Sequence, residues 1–284
     1  MNRGLMMIRD AANQWMKQLW IIDRTNQLHE DALNAFALDE LLCNSAYQTG
    51  HSYCHIWRNS AAFVLGHKDA RLPKAEQAVE WLRQQGYNTF VRNSGGAAVP
   101  LDKDVVNISL IFPKLNDEQH FHADFESMYQ FVSQALHFTG ATINKGEIQG
   151  AYCPGDYDLS IAGKKFCGIA QRRKLNAFII QAFIVVDGSG AKRAELVREF
   201  YHLAAAGDAK TNHPIVTSSS TASIAELTHI GEDATRVFIE QIMQLIGAER
   251  KITNGMDYAM KSSLPTPQEI VRLANELRHK YTQV

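Results

Sequence analysis

The sequence predicts an α+β fold, with a mixed or antiparallel sheet flanked by helices. Short runs with the two-residue alternation of strands occur repeatedly between residues 52 and 186. Stretches with helical periodicity lie before, between and after these runs rather than in strict alternation with them. Strands flanked by separate helices are typical of the α+β class, and a 284-residue chain that is 45% hydrophobic has enough apolar residues for a substantial core.

The first half of the chain alternates between the two patterns. Leu33, Phe36, Ala37 and Leu41 lie near helical spacing behind early acidic residues, which predicts a helix over 29–43. The other predicted elements are an edge strand over 19–23, strands over 52–57 and 61–65 joined as a hairpin, a helix over 74–85 that ends at Gly86, and strands over 88–92, 97–100 and 105–112.

In the second half, the patterns predict a helix over 125–136, strands over 157–161, 165–170 and 177–186, and mainly helix from 193 onward. The stretch 211–223 is the most polar and least periodic, so we expect a mobile loop there. Ser223 and Glu226 have the spacing of a capping box, which predicts the start of a helix after the loop. The amphipathic pattern over 264–284 predicts a terminal helix.

Composition and charge exclude several classes of protein. The net charge is −1 with both signs interspersed, so the sequence predicts neither a nucleic-acid surface nor an anionic-membrane surface. Arg9 and Asp10 interrupt the N-terminal apolar run before the core of a signal peptide could form, and the apolar run 177–186 is too short to span a bilayer as a helix. We expect a monomer in the cytoplasm.

The cysteines fit the same expectation. Cys43, Cys54, Cys153 and Cys167 have no close paired spacing, in a chain too large to need disulfide staples, which favours a reducing compartment. No Cys-x-x-Cys pair is present, so the sequence predicts no metal site.

The run from 150 to 173 contains the strongest chemical signal. Cys153 stands at a Pro-Gly-Asp turn, and a strand over 157–161 followed by the reversal Ala162-Gly163-Lys164 would return Lys165 towards that turn. A cysteine attacks carbonyls as the thiolate, and an ordinary thiol with a pKa of about 8.5 is mostly protonated at neutral pH. A nucleophile beside a cation is typical of acyl transfer. The alternative is that Cys153 is an ordinary buried thiol.

Lys164 and Lys165 are adjacent on the predicted return strand, so their side chains point to opposite faces and only one can approach Cys153. The position on the strand favours Lys165 and leaves Lys164 in water. Asp156 and Asp158 follow the turn, and we expect them to bond locally to their own backbone.

Four motifs together resemble the biotin/lipoate protein ligase superfamily, and within it the bacterial octanoyltransferases that use the glycine-cleavage H protein. They are Cys153-Pro-Gly-Asp-Tyr-Asp-Leu-Ser, Gly163-Lys-Lys-Phe-Cys-Gly168, Arg92-Asn-Ser-Gly-Gly-Ala-Ala-Val99 and Val106-Asn-Ile-Ser-Leu110. The motifs lie between about 90 and 173, and the order of elements is similar over about 35–245. The resemblance implies the catalytic-domain fold of this superfamily, which is similar to class II aminoacyl-tRNA synthetases.

The resemblance also implies roles for individual residues. Cys153 would carry an octanoyl thioester, and Lys165 would favour its thiolate form. The residues expected to bind substrate are Arg92, Gly95, Gly96, Asn107 and Gly168. The implied partners are the glycine-cleavage H protein as donor and the lipoyl domains of 2-oxoacid dehydrogenase complexes as acceptors, with no cofactor. The implied organisation is an N-terminal extension over 1–28, a catalytic domain over 29–250 and a C-terminal helical segment over 251–284.

One departure from the family pattern leaves alternatives open. Many relatives continue the glycine segment with Val, one residue and His, whereas this chain has Val99-Pro100-Leu101-Asp102. The competing hypotheses are an ATP-dependent lipoate ligase in which Lys165 contacts the acyl-adenylate, a transferase that takes octanoyl groups from acyl carrier protein, and a carrier-binding module without turnover. The sequence alone does not choose the donor.

Overall fold

The computed structural model describes residues 15–114, 121–206, 211–247, 250–252 and 263–281. Its strands are β1 (Leu19–Arg24), β2 (Ser52–Trp57), β3 (Ala61–Leu65), β4 (Asn88–Val91), β5 (Val99–Asp102), β6 (Val105–Pro113), β7 (Asn144–Lys145), β8 (Leu159–Ile161), β9 (Lys164–Arg173) and β10 (Ala177–Val185). Its α-helices are α1 (Leu33–Thr49), α2 (Ala75–Gln84), α3 (Phe121–Ala135), α4 (Gly190–Ala204), α5 (Ile224–Leu227), α6 (Ala234–Ile246) and α7 (Pro267–Tyr281).

The strands form two sheets, which confirms the predicted α+β class. The larger sheet has the order β1-β2-β6-β10-β9-β8-β7, and the smaller has the order β4-β3-β5. In the larger sheet β1 and β2 are parallel and the other neighbours are antiparallel. In the smaller sheet β3 runs parallel to β4 and antiparallel to β5.

The central strands of the larger sheet are buried on both faces, because each face packs against a different hydrophobic cluster. On β2, Tyr53 and Trp57 belong to the cluster that includes α1 and the smaller sheet. Cys54 and Ile56 point the other way, into the cluster that includes α3 and α6. The face towards the smaller sheet is the one that carries the candidate site.

The predicted hairpin between 52–57 and 61–65 is wrong, although both strands exist. β2 pairs with β1 and β6, whereas β3 pairs with β4 and β5 in the other sheet. The connecting residues are tied to an earlier segment instead of closing a turn. Arg58 donates to the carbonyl of Thr25, and the Asn59 amide donates to the carbonyl of Glu30. The chain therefore crosses from one sheet to the other.

The first long helix is displaced from its predicted range of 29–43. It starts at Leu33, whose N–H donates to the Asp31 carboxylate at 3.0 Å, and it ends before Gly50, which adopts φ 72°. The acidic residues before Leu33 thus precede the helix rather than form its first turn. The strand β7 was not predicted, because two exposed residues carry no alternation signal.

Other local predictions are confirmed. The predicted edge strand is β1, at one end of the larger sheet. Ala162 and Gly163 have φ 50° and 75°, as a tight reversal between β8 and β9 requires. The capping box of Ser223 and Glu226 is formed at the start of α5. The domain boundaries stay a prediction, and parts of both predicted terminal segments lie outside the described residues. No described helix is long and apolar enough to cross a membrane.

Gly168 on β9 offers a test of how tightly the sheet is packed at the site. A Cβ at this position would overlap the ring of Phe183, its neighbour on β10. We predict that Gly168→Ala lowers the free energy of unfolding by about 1–3 kcal/mol, since the ring must move against packed neighbours. Denaturant unfolding measures the change.

Gly95→Ala is the matched control for this measurement. An added Cβ there meets nothing within 4 Å, so its unfolding free energy should stay within about 1 kcal/mol of the wild type. Equal effects of the two substitutions would show that Phe183 does not constrain Gly168.

Candidate active site

Cys153 occupies a strained backbone position at the wall of a cavity between the two sheets. Its φ of 48° lies in the left-handed region, which residues other than glycine rarely adopt and which occurs at functional sites. The residue is 8% exposed, so its thiol is neither free in water nor fully enclosed. The cavity encloses about 270 Å³ and is lined by residues of both sheets, including Val64, Val99 and Phe183.

Two N–H groups donate hydrogen bonds to the Cys153 sulfur. Arg92 Nη2 is 3.2 Å from Sγ, and the backbone N–H of Ala97 is 3.4 Å away. The same Arg92 nitrogen donates to the Ala97 carbonyl at 2.6 Å, which fixes the guanidinium and the amide relative to each other. Donors with positive charge or dipole stabilise a thiolate over the neutral thiol.

Gly96 makes this approach possible, whereas Gly95 has ample room. Gly96 has φ 105°, and a Cβ there would overlap the Arg92 guanidinium and come within 3.1 Å of Cys153 Sγ. The backbone of the loop therefore reaches the thiol only because the residue at 96 has no side chain. Both glycines were expected at the site from the family resemblance, and both line the cavity.

Lys165 lies beside Cys153, but it contacts the backbone rather than the sulfur. Its Nζ donates to the carbonyl of Tyr152 at 2.9 Å and to the carbonyl of Cys153 at 2.5 Å. It also forms an ion pair with Asp158 at 2.8 Å, and its side chain is fully buried. Among the described residues, the cation within hydrogen-bond distance of Sγ is Arg92, so this arrangement differs from the one implied by the resemblance. Lys164 is exposed, as strand alternation predicts.

Asp158 does more than cap the turn. It accepts from the N–H of Gly155 at 3.2 Å, the local contact expected from the sequence, and it also faces the Lys165 ammonium. Burial raises the pKa of Asp158 to about 6, although the Lys165 charge and hydrogen bond oppose the rise. The sequence predicts only the local contact and not the ion pair. Ser160 pairs with Lys165 across the ladder, but the register shifts between Leu159 and Ser160, so strand alternation does not give the side on which Asp158 lies.

The remaining expected substrate residues share the cavity. Asn107 and Gly168 lie in one cross-strand row of the larger sheet, which runs Trp57, Asn107, Phe183, Gly168. Asn107 is 7% exposed, and its Nδ2 has no hydrogen-bond partner among the described residues. Arg92, Gly95, Gly96, Asn107 and Gly168 therefore all line the cavity that contains the thiol.

A buried carboxylate on α1 organises the next row of the cavity floor. Asp39 accepts from Ser109 at 2.5 Å and from the Gln181 amide at 2.8 Å, and it lies 2.8 Å from His55 Nδ1. Ser109 and Gln181 line the cavity. This cluster is absent from the sequence-based predictions, although an acidic residue within the apolar run of a predicted helix is a usable signal for it.

The adjacent residue Glu40 anchors the loop that carries Arg92. Its carboxylate accepts from the Asn93 amide at 2.9 Å and pairs with Arg172 and with Lys174. Arg172 also donates to the Asn93 carbonyl. The basic residues at the end of β9 are therefore engaged within the protein, and they hold the start of the loop against the larger sheet.

A second buried group holds the other end of the loop. The Tyr201 hydroxyl donates to Asp69 at 2.9 Å and accepts from the Ala98 N–H at 3.2 Å. The second Asp69 oxygen accepts from the Gly66 N–H at 2.8 Å. Burial raises the pKa values of both Asp69 and Tyr201. This group fixes Ala98, the residue after the amide that faces the thiol, and sequence reasoning did not find it.

The polar segment 211–223 packs its second half onto the turn that carries the thiol. The Thr217 N–H and the Ser220 hydroxyl both donate to the Gly150 carbonyl at 2.8 Å. The Ala222 N–H donates to the Lys165 carbonyl at 3.0 Å. These bonds join the segment to both sides of the site.

Comparison with known proteins agrees with the motifs. Residues 31–249 match the family model described as the lipoyl protein ligase A/B catalytic domain. A protein of Geobacillus kaustophilus named octanoyl-[GcvH]:protein N-octanoyltransferase is 43% identical over 224 residues, covering 77% of this chain and 79% of its own. A protein of the same name from Bacillus velezensis is 37% identical over 262 residues, covering 90% of this chain and 89% of its own.

Solved structures share the fold. Lipoate-protein ligase A bound with ATP aligns over 94% of this chain and 97% of its own, with a TM-score of 0.63 at 18% identity. Protein Ta0514 of T. acidophilum with bound lipoic acid aligns over 93% of this chain and 95% of its own, with a TM-score of 0.60 at 16% identity. At such identities the likeness establishes the fold alone, and it confirms the predicted biotin/lipoate ligase architecture.

The family model covers most of the chain, and both relatives are named as acyltransferases that move octanoyl groups. The chain therefore belongs to the lipoyl protein ligase A/B catalytic domain family and is an acyltransferase.

Proposed function

We propose that this protein is a cysteine-dependent octanoyl amidotransferase. Cys153 takes the octanoyl group from a lysine of the glycine-cleavage H protein and passes it to a lysine of the lipoyl domains of 2-oxoacid dehydrogenase complexes. The observation that supports this proposal best is the placement of Cys153 Sγ, at a cavity wall with Arg92 Nη2 at 3.2 Å and the Ala97 N–H at 3.4 Å.

The chemistry divides one slow substitution into two steps. In the first, the thiolate forms a C–S bond with the octanoyl carbonyl, the amide C–N bond breaks, and the donor lysine leaves as an amine after it gains a proton. In the second, the acceptor amine forms a new C–N bond and Sγ leaves as thiolate. One acyl-lysine replaces another, so the exchange is close to thermoneutral and needs no ATP.

The cavity suits a short apolar chain. Its volume of about 270 Å³ lies just below the range of about 300–1,000 Å³ that is typical of ligand pockets. Its apolar walls include Phe36, Trp57, Val64, Leu101 and Phe183. The unpartnered Nδ2 of Asn107 supplies a donor to a carbonyl that binds inside, because a buried donor without an acceptor is unfavourable until a ligand satisfies it.

Arg92 and Lys165 have separate tasks in this proposal. Arg92 stabilises the thiolate, since its guanidinium contacts Sγ directly. Lys165 fixes the strained turn through the Cys153 carbonyl and neutralises Asp158. A proton-carrying role for Lys165 requires its Nζ to exchange these carbonyl contacts for the reacting nitrogen.

The proposed thioester on Cys153 can be detected directly. Incubation with octanoylated H protein should give an octanoyl adduct on Cys153 that is detected by intact mass, and Cys153→Ala should abolish both adduct and transfer. Cys43→Ala is the matched control, because burial raises the pKa of Cys43 to about 12 and keeps that thiol protonated. Full transfer by Cys153→Ala, or transfer that demands ATP and free octanoate, would instead support a ligase.

The role of Arg92 gives a pH-dependent prediction. Arg92→Gln should slow alkylation of Cys153 by iodoacetamide about 10-fold to 100-fold at neutral pH, the effect of losing a hydrogen bond to a charged group. The deficit should shrink as the pH rises past about 8.5, where an ordinary thiol ionises without help. A deficit that stays constant with pH would show that Arg92 acts on something other than thiolate formation.

The buried pair of Lys165 and Asp158 gives a prediction that separates structure from proton transfer. Lys165→Met leaves a buried carboxylate without its cation and should cost about 3–5 kcal/mol of unfolding free energy. The double variant Lys165→Met/Asp158→Asn should recover most of that loss. If Lys165 serves only to balance the Asp158 charge, transfer returns with stability. A folded double variant without acyl transfer would show that the ammonium group is needed beyond that balance, for its bonds to the turn carbonyls or for proton transfer.

The same pair has a pH signature. The folded pKa of Asp158, about 6, lies above its ordinary value of 3.8, so its contribution to stability is complete below pH 3.8 and is lost as the pH rises through about 6. Unfolding measured across this window should show the decline in wild type and lack it in Asp158→Asn.

A further inference from the structure

A second cavity of about 470 Å³ lies beside the acyl cavity, and none of the roles assigned above uses it. The two cavities share Gly95, Gly96 and Pro154 in their walls. Pro154 directly follows Cys153, so the cavities adjoin at the turn that carries the thiol.

An acyl-lysine amide has two limbs that meet at the carbonyl carbon. One limb is the acyl chain, and the other is the aminoalkyl side chain that leads back to the carrier. When the acyl chain fills the first cavity, the nitrogen limb must leave the thiol by a different path. The second cavity lies on the other side of the wall formed by Gly95, Gly96 and Pro154, where that path is needed.

The walls of the second cavity carry polar groups that suit an amine. Ser94 lines it and is 5% exposed, and its hydroxyl has no hydrogen-bond partner among the described residues. Asp69 lines it as well and is 2% exposed. The imidazole of His213 stacks on Tyr201 with ring centroids 5.0 Å apart. The cationic side chain of Lys68 is exposed at the rim and therefore solvated.

We propose that the second cavity binds the aminoalkyl arm of the carrier lysine, with Ser94 and Asp69 as its polar contacts near the nitrogen. The inference rests on the proposed transferase function and adds the place where the amine binds. An anionic ligand would have to approach the buried Asp69 carboxylate, whereas an alkylammonium group is attracted to it.

The cavity also supplies bases for the second step. The acceptor enters as an ammonium and gives up one proton to become the attacking amine. Its nitrogen then forms the C–N bond, the C–S bond breaks, and the electron pair leaves on Sγ, where Arg92 and the Ala97 N–H receive it. The nitrogen loses its second proton as the adduct collapses. Asp69 and His213 are the bases that line this cavity.

The test separates the two half-reactions. Full-length protein is first acylated with the octanoyl thioester of N-acetylcysteamine, which presents no amine, and n-butylamine is then added as the smallest mimic of the lysine arm. The rate of adduct loss and of N-butyloctanamide formation should saturate with n-butylamine. Ser94→Ala should raise the half-saturating concentration about tenfold, as expected for one lost hydrogen bond to a charged group.

Ser133→Ala is the matched control, since it also removes a hydroxyl without a partner among the described residues, but on α3 and outside the cavity. Thermal unfolding of both variants checks that the fold is intact, and Ser94→Thr, which keeps the hydroxyl, should restore saturation near the wild-type concentration. A linear dependence on n-butylamine in wild type, or identical saturation in Ser94→Ala, would overturn the amine cavity. Absence of the acyl adduct itself would overturn the proposed function instead.

Discussion

Two hydrogen-bond donors on one sulfur atom are the constraint on which the rest of the site depends. Arg92 and Ala97 lie on the loop between β4 and β5, in the smaller sheet, whereas Cys153 lies on the turn before β8, in the larger sheet. Moving the donor away from the sulfur by about 1 Å is enough to break a hydrogen bond. The fold must therefore hold two loops from different sheets in fixed register.

Each loop is fixed by buried polar groups rather than by its own sequence. Glu40 holds the start of the glycine loop through Asn93, and Tyr201 with Asp69 holds its end through Ala98. The turn that carries Cys153 is held by Lys165, which donates to the Cys153 carbonyl, and by Thr217, whose N–H donates to the Gly150 carbonyl. Buried groups of this kind are costly unless every partner is present, so they specify one arrangement of the loops.

The local part of this arrangement could be predicted from the sequence, and the long-range part could not. Alternation on β9 correctly buries Lys165 and exposes Lys164, because the face of a strand residue follows from its position alone. The partner of the thiol comes from 61 residues away, and the partner of Asp69 from 132 residues away. In neither case does the local sequence around one residue indicate which distant residue will bond to it.

The wrong hairpin shows the same limit. The segments 52–57 and 61–65 carry sound strand signals, but a short connection between strands does not reveal whether they share a sheet. In the structure, Arg58 and Asn59 between the two strands bond through their side chains to carbonyls of Thr25 and Glu30, about 30 residues earlier in the chain. Such long-range contacts belong to the assembled fold, and the strand signals of the two segments do not contain them.

The two buried cations near the thiol differ in what they can do, because their partners differ. The Lys165 charge is balanced by Asp158 at 2.8 Å, so the pair projects little net field onto the sulfur. Arg92 contacts the sulfur itself and forms no ion pair within 4.0 Å among the described residues. A guanidinium does not give up its proton in proteins, so in the proposed mechanism Arg92 stabilises the thiolate in both half-reactions without acting as an acid or a base. Proton transfer to and from the lysine nitrogens would then need a group with an exchangeable proton, and among the described residues Lys165, Asp69 and His213 lie at the thiol turn or in the adjoining cavity.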